Sequence, residues 1–276
     1  MHLIIQGSDA ATADLKQLAR LSGASGIEQI SANVFRLAQA SPAAGIADLC
    51  AQARLDHAFV PEDRRLADVR LLVMDMDSTL ITIETIDELA DLMGLKPQVA
   101  TITAQAMRGE IEYDESLRRR LALLKGLDEN ALARVYDERL KLSPGAEQLL
   151  AQTKRHGIRT LLVSGGFTQV TDRLKSRLGL DYTYSNTLEI ENGRLTGEVL
   201  GRIVNADAKR DELVRVRDEL GISREQIIGV GDGANDLKFL AECGVSIAYR
   251  AKPVVRDQTT HALNHAGLDG ILNLFN

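Results

Sequence analysis

The stretch LLVMDMDSTL, residues 71–80, constrains the fold more than any other. Four apolar residues in a row suit a strand buried on both faces, as in a parallel sheet covered by helices. The run ends directly in Asp75 and Asp77, followed by Ser78 and Thr79. Two carboxylates aimed at one place repel each other and lose hydration, so something else must offset their charge. The spacing therefore poses a chemical question as well as a structural one.

The chain around it is that of a globular protein. It has 276 residues, 45% hydrophobic and 26% charged, which is enough for one large domain or two smaller ones. The net charge of −6, with no basic block interleaved with aromatics, argues against a nucleic-acid surface. Trp is absent and aromatics make up only 4%, so no base-stacking platform is expected. Cys50 and Cys243 are far apart and in no metal-like spacing, which reads as two buried thiols in a reducing compartment. The N-terminus MHLIIQGSDA lacks the features of a secretory signal. No apolar run approaches the roughly 18–20 residues that cross a bilayer, so a cytoplasmic protein without a membrane partner is expected.

Residues 1–66 read as a separate small unit. HLIIQ is a strand, ADLKQLARL a helix ending before Gly23, GIEQI and NVFRLA two strands, AAGIADLCAQARL a second helix, and HAFV a closing strand. The order βαββαβ is that of an α+β ferredoxin-like fold. Residues 62–70, EDRRLADVR, form a charged connection. From Leu71 onward, strands alternate with amphipathic helices, giving an α/β class with a Rossmann-like parallel sheet. The strands are placed at 71–75, 159–164, 226–231 and 245–249. Residues 84–155 are almost purely helical and too long for a crossover, so they read as an inserted helical cap. The core then comprises 67–83 and 156–276. Ser143-Pro144 is expected to start the helix that returns to the sheet. Asn192-Gly193 marks a hairpin between YTYSNTLEI and RLTGEVL, and DELVRVRDELG a helix ending at Gly221.

In open α/β sheets, ligands bind beyond the carboxyl ends of the strands. Here those ends carry Asp75-Met76-Asp77-Ser78-Thr79, Ser164-Gly165-Gly166 and Asp232-Gly233-Ala234-Asn235-Asp236, while Lys209 lies at a helix start. Converging carboxylates call for a divalent cation, and Mg²⁺ suits oxygen ligands combined with a substrate phosphate. The Ser-Gly-Gly turn and Lys209 then serve as phosphate ligands. Each motif alone has a plainer use: a helix cap for Asp77-Ser78-Thr79, a turn for Asp232-Gly233, a loop for Gly165-Gly166, a solvated side chain for Lys209. All four in order, each at a strand end or helix start, favour the chemical reading. His261 and His265 have a spacing that can hold zinc on a helix, but no third ligand accompanies them, so they read as ordinary surface histidines.

The set DMDST, SGG, a lone lysine and GDGAND resembles the haloacid-dehalogenase-like phosphatases. ETIDELA, SLRRRLALLKGL, VSGGFTQV, LTGEV and VGDGANDL are similar to the phosphoserine phosphatases within that superfamily, over roughly residues 70–270. The small N-terminal unit resembles ACT-like regulatory domains in topology only. The resemblance implies that Asp75 is the nucleophile of an aspartyl-phosphate intermediate and that Asp77 is general acid and then general base. It implies Mg²⁺ held by Asp75, Asp232 and the backbone carbonyl of Asp77, with Asp236 in support. Ser164, Gly165 and Lys209 would bind the phosphoryl group and Asn235 would contact substrate or phosphate. Glu84 would hold the ammonium and Arg120 the carboxylate of O-phospho-L-serine, the last substrate of serine biosynthesis. Arg120 lies on the flank of the Leu117/Leu121/Leu124 face, unlike Arg118 and Arg119. Met107 and Tyr113 are candidate pocket residues, Tyr113 standing where relatives often have Phe. Glu84 could equally be a first-turn acid near a helix N-terminus. Two other readings stay open: a phosphatase or phosphotransferase for another small phosphate such as phosphohomoserine, and an inactive amino-acid-sensing protein. Residues 1–66 are expected to form a homodimer contact or sense an amino acid.

Overall fold

The computed structural model describes residues 1–276. The N-terminal segment forms β1 (His2–Gln6), α1 (Thr12–Ser22), β2 (Gly26–Ser31), β3 (Val34–Ala38), α2 (Ile46–Gln52) and β4 (Asp56–Val60). Its sheet is antiparallel in the order β2-β3-β1-β4, with Leu3 opposite Leu37 and Ile5 opposite Phe35. That order is the ferredoxin-like one expected from the sequence. Leu3, Ile5 and Leu37 point to one face and pack with Leu15, Leu18, Ile46 and Cys50. α1 closes at Gly23, whose φ of 66° is left-handed, and Ala24 N–H returns to Ala19 O at 2.9 Å. α2 is shorter than its apolar periodicity suggested. Gly45 in a left-handed conformation delays its start, and Arg54, also left-handed, stops it.

The remaining chain forms β5 (Leu71–Met74), α3 (Thr85–Leu92), α4 (Lys96–Met107), α5 (Tyr113–Leu123), α6 (Asn130–Arg134) and α7 (Ala146–Arg155). It continues with β6 (Arg159–Phe167), α8 (Thr168–Leu178), β7 (Tyr182–Glu191), β8 (Arg194–Leu200) and α9 (Ala206–Leu220). The last elements are β9 (Ile227–Gly231), α10 (Leu237–Leu240), β10 (Val245–Tyr249), α11 (Pro253–Arg256) and β11 (His261–Leu263). The sheet order is β11-β10-β9-β5-β6-β7-β8. β9, β10 and β11 pair in parallel, as do β6 and β7, whereas β8 returns antiparallel. The β7–β8 turn places Asn192 and Gly193 at φ 51° and 75°, the geometry that Asn-Gly favours. β5, β9 and β10 are buried along their whole length, as their continuous apolar runs require.

The chain divides into two compact units, one of residues 1–72, 144–159 and 222–276 and one of residues 73–143 and 160–221. Within the first, the buried Asp56 carboxylate accepts the N–H groups of Asn264, His265 and Ala266 at 2.7–2.9 Å, and Gln6 Nε2 donates to Gly270 O at 3.0 Å. Both cysteines are free and buried, and burial raises the Cys50 thiol to about 12. No helix is long and apolar enough to cross a membrane.

Two expectations are corrected. The return helix does not begin at Ser143-Pro144. Ser143 N–H is used by Leu80 O at 2.9 Å, and the helix starts after left-handed Gly145. Nor is His261 an ordinary surface histidine. It lies in β11, partly buried, and Arg64 Nη1 donates to its Nε2 at 2.7 Å. Burial, and then the charges of Arg64 and His57, lower its pKa to about 4. Because the folded value lies below the unfolded one, the neutral imidazole stabilises the fold above about pH 6.5. That contribution is lost as pH falls from there towards 4. Denaturant titrations should show the wild type losing on the order of 2 kcal/mol more than His261→Gln across this window. Parallel losses in the two proteins would contradict the assignment.

Candidate active site

β5 delivers Asp75 at its carboxyl end, 5% exposed. The carboxylate accepts Met76 N–H at 2.7 Å on Oδ1, and the same oxygen lies 2.9 Å from Lys209 Nζ. Residues Met76–Leu80 then form one wide turn in which Ser78 is left-handed at φ 57°. The turn closes with Ile81 N–H on Met76 O at 3.0 Å and Ser78 N–H on Ile83 O at 3.2 Å. Asp77-Ser78-Thr79 therefore do not cap a following helix, since α3 begins only at Thr85 after Glu84.

Lys209 is not a solvated helix residue. It is 1% exposed, and α9 places it there because Asn205 caps the helix, accepting the N–H groups of Asp207 and Ala208 at 3.1 Å. Removing either member of a buried ammonium–carboxylate contact takes away charge compensation in a place where water cannot replace it, which is destabilising.

Asp77 sits in the same turn with a different environment. Thr85 Oγ1 donates to its Oδ1 at 2.7 Å. Burial first, and the charge of Glu84 second, push the Asp77 carboxyl up to about 8, against the downward pull of Thr85 and Lys209. The protonated form thus dominates at neutral pH, the state a general acid needs. Two carboxyls one residue apart thus meet different surroundings, a buried ammonium at Asp75 and the Thr85 hydroxyl with a nearby carboxyl at Asp77.

Glu84 accepts Ser78 Oγ at 2.6 Å. Desolvation raises its pKa, while Ser78, Arg120 and Lys209 pull it down. Arg120 is partly buried on α5, with Nε donating to Ser116 O at 3.3 Å, and Arg118 and Arg119 are exposed. Leu117, Leu121 and Leu124 are buried, so the helix face inferred from spacing is the observed one. Burial raises the pKa values of Asp87 and Tyr113, and the Arg120 charge opposes that rise in both, so it is felt across this whole group.

In β6, Ser164 is 1% exposed, and its Oγ accepts Gly166 N–H at 2.8 Å. A Cβ on Gly166 would lie 3.3 Å from Asp77 Oδ2 and 2.5 Å from Met76 Cε, so the absence of a side chain lets β6 approach the Asp75 turn. A Cβ on Gly165 would collide with the Tyr113 hydroxyl. Gly165→Ala should lower kcat/KM on the order of 10²-fold by displacing this strand or Tyr113, with little change in melting temperature. Unchanged kinetics would show that the close approach is dispensable.

Two partners carried no signal in the sequence. Asn186, buried in β7, donates to Gly165 O at 2.8 Å and accepts Val204 N–H at 2.9 Å, fixing the Ser-Gly-Gly strand from behind. Thr85 orients Asp77. A lone polar residue in a strand pattern is the only hint that Asn186 offered.

After β9, Asp236 is fully buried and its Oδ2 accepts the N–H groups of Asp232 and Gly233 at 3.1 and 3.0 Å. It holds the loop that presents Asp232. Gly231 must be glycine because a Cβ there would lie 2.6 Å from Asp236 Oδ2. Asn235 is partly buried in the same loop, and Met107 ends α4 with 64% exposure. Carboxylate oxygens of Asp75, Asp232 and Asp236 fall within 4.8 Å of one another. An all-oxygen, anionic donor set of this kind fits a hard divalent cation.

A family model described as haloacid dehalogenase-like hydrolase matches residues 72–241, and one described as a domain of unknown function (DUF4072) matches residues 3–46. A phosphoserine phosphatase of Polaromonas sp. is 51% identical over 217 residues, 77% of this chain and 92% of that protein. The crystal structure of a probable phosphoserine phosphatase from Vibrio cholerae, unliganded, superposes with a TM-score of 0.85 at 35% identity, covering 99% of this chain and 85% of that one. A phosphoserine phosphatase structure containing a phospho-aspartyl intermediate analogue has a TM-score of 0.71 at 36% identity, over 75% of this chain and 99% of that one. With residues 72–241 matched and half of the aligned positions identical to a relative covered almost end to end, the chain belongs to the haloacid dehalogenase-like hydrolase family.

Proposed function

We propose that the protein is a phosphoserine phosphatase, converting O-phospho-L-serine and water to L-serine and phosphate in the last step of serine biosynthesis. One observation carries the mechanism: Asp75 is held next to the buried Lys209 ammonium, while Asp77, in the same turn, accepts the Thr85 hydroxyl in surroundings that raise its carboxyl pKa. The substrate follows from the relatives and from Glu84 and Arg120.

An Asp75 carboxylate oxygen attacks phosphorus, and the bond from phosphorus to the serine oxygen breaks. Asp77 gives its proton to that oxygen, so serine leaves as an alcohol. The acyl phosphate on Asp75 is then attacked by water at phosphorus. Asp77, now a carboxylate, takes the water proton, and Asp75 and inorganic phosphate are released. Ser164, Gly165 and Lys209 bind the phosphoryl oxygens, where negative charge gathers during transfer, and Asn235 contacts the same group. Mg²⁺ is assigned to Asp75, Asp232 and the Asp77 carbonyl, and when bound it offsets the charge between carboxylate and phosphate. Asp236 keeps Asp232 in place through the two N–H bonds of its loop.

Glu84 takes the substrate ammonium and Arg120 its carboxylate, which a guanidinium can grip through two parallel hydrogen bonds. Tyr113, with its hydroxyl beside Gly165, and Met107 are assigned to the wall of the same pocket. The test is phosphate release, with and without Mg²⁺, from O-phospho-L-serine, phosphothreonine, phosphohomoserine, phosphoglycolate and a hexose phosphate. Phosphoserine should be preferred, and metal should be required. Arg120→Lys should raise KM for phosphoserine about 10–100-fold with a smaller change in kcat, because the interaction lost is made equally in ground and transition states. Preference for the hexose phosphate would keep the Asp75 chemistry and overturn the Glu84–Arg120 assignment.

A further inference from the structure

An open basin of about 760 Å³ is rimmed by Arg54, Arg250, Arg256 and His265, with Ser8 and Asp9. None of these residues has a part in the hydrolysis described above. Elsewhere in the chain, arginines find carboxylates: Arg36 with Glu28, Arg139 with Glu88 and Asp91, Arg202 with Asp211, Arg215 with Glu212 and Glu219. The three basin arginines have no such partner, and Arg250 instead lies over the Tyr249 ring at 5.3 Å from its centroid. The only acid on the rim, Asp9, accepts a hydrogen bond from Ser8 Oγ at 2.9 Å. Three arginines therefore line a basin that has one carboxylate residue.

The rim is built rather than incidental. Five non-glycine residues of the chain have positive φ, and two of them are Arg54 at 55° and Arg250 at 48°. Bulky residues rarely adopt this conformation, and it persists where the surrounding structure imposes it. Asp56 fixes the His265 loop through three backbone N–H groups, and Arg250 N–H donates to Leu263 O at 2.7 Å. The backbone that carries Arg54, Arg250 and His265 is thus fixed before any ligand arrives, which reduces the ordering cost of binding. No Phe, Tyr or Trp lines the basin.

We propose that this basin is a binding site for a small multivalent oxyanion, bearing phosphate or several carboxylates, held by Arg54, Arg250 and Arg256 through charge-assisted hydrogen bonds. Calorimetric titration of the metal-depleted full chain in chelator-free buffer, with pyrophosphate and separately with citrate, tests it. Three proteins are compared: wild type, Arg54→Ala/Arg256→Ala, and Ser164→Ala as the active-site control. The wild type should bind at least one probe at one site per chain. The double variant should bind at least tenfold more weakly and keep phosphoserine hydrolysis within about twofold of wild type, since both arginines are exposed and outside the catalytic group. Ser164→Ala should retain full binding. Pyrophosphate alone, citrate alone or both would identify the site as selective for phosphate, selective for polycarboxylate, or general for multivalent charge. No heat at millimolar probe, or binding abolished by Ser164→Ala and untouched in the double variant, would overturn the proposal. Arg256→Ala alone, with the same expected direction, serves if the double variant loses hydrolysis.

Discussion

Asp75→Asn should reduce phosphate release from phosphoserine by at least about 10⁴-fold, with KM changed far less. The amide matches the carboxylate in size and can still accept Met76 N–H, so the turn at Met76–Leu80 is kept. It lacks the charge and nucleophilicity to attack phosphorus. The substitution also removes the carboxylate charge 2.9 Å from the Lys209 ammonium, which is 1% exposed, so the variant should lose stability as well. The two effects separate under added phosphate: ligand binding restores melting temperature by mass action but cannot restore turnover. Activity within tenfold of wild type would remove Asp75 from the nucleophile role.

Asp77→Asn should cost on the order of 10²–10⁴-fold in kcat on phosphoserine, because an alkoxide leaving group needs its proton in the transition state. The asymmetry between substrates is the sharper signature. An aryl phosphate leaves as a stable phenolate, so its first step should survive in Asp77→Asn. The second step, which needs Asp77 as base for water, should still be slow. The variant should therefore show a burst of phenolate equal to the enzyme concentration, followed by a low steady rate. Equal losses on both substrates, with no burst, would assign Asp77 to positioning rather than proton transfer. The environment already favours this role, since burial and Glu84 hold the carboxyl at about 8 while Thr85 fixes its orientation.

The parts of this molecule that local chemistry specifies were legible in the residues. β1 and β10 fall where the apolar runs placed them, and the Asn192-Gly193 hairpin turns where only left-handed residues can. The strand-end motifs were legible because Asp, Ser and Gly at such places have few structural uses. What the sequence concealed depends on partners distant along the chain. Asp56 reads as an ordinary strand-start acid, yet it organises the loop 264–266, more than two hundred residues away. Asn186 looked like any polar residue in a strand, and its two bonds, to Gly165 and Val204, set the phosphate-binding strand. The helix start at Ser143-Pro144 failed because Gly145 is left-handed, at φ 77°, which breaks the run after Pro144 and lets the helix begin only at Ala146. His261 was misplaced because three residues of β11 make too short a run to read as a strand.

Direct capture of the acyl phosphate on Asp75 tests the central claim. The enzyme would be mixed with phosphoserine and Mg²⁺, quenched in acid within milliseconds, and reduced with borohydride, which converts an aspartyl phosphate to homoserine. Peptide mass spectrometry should find homoserine at position 75 and nowhere else, and none in Asp75→Asn or when substrate is omitted. An unmodified Asp75 during full turnover, or the modification at Asp77 or Asp232, would contradict the account.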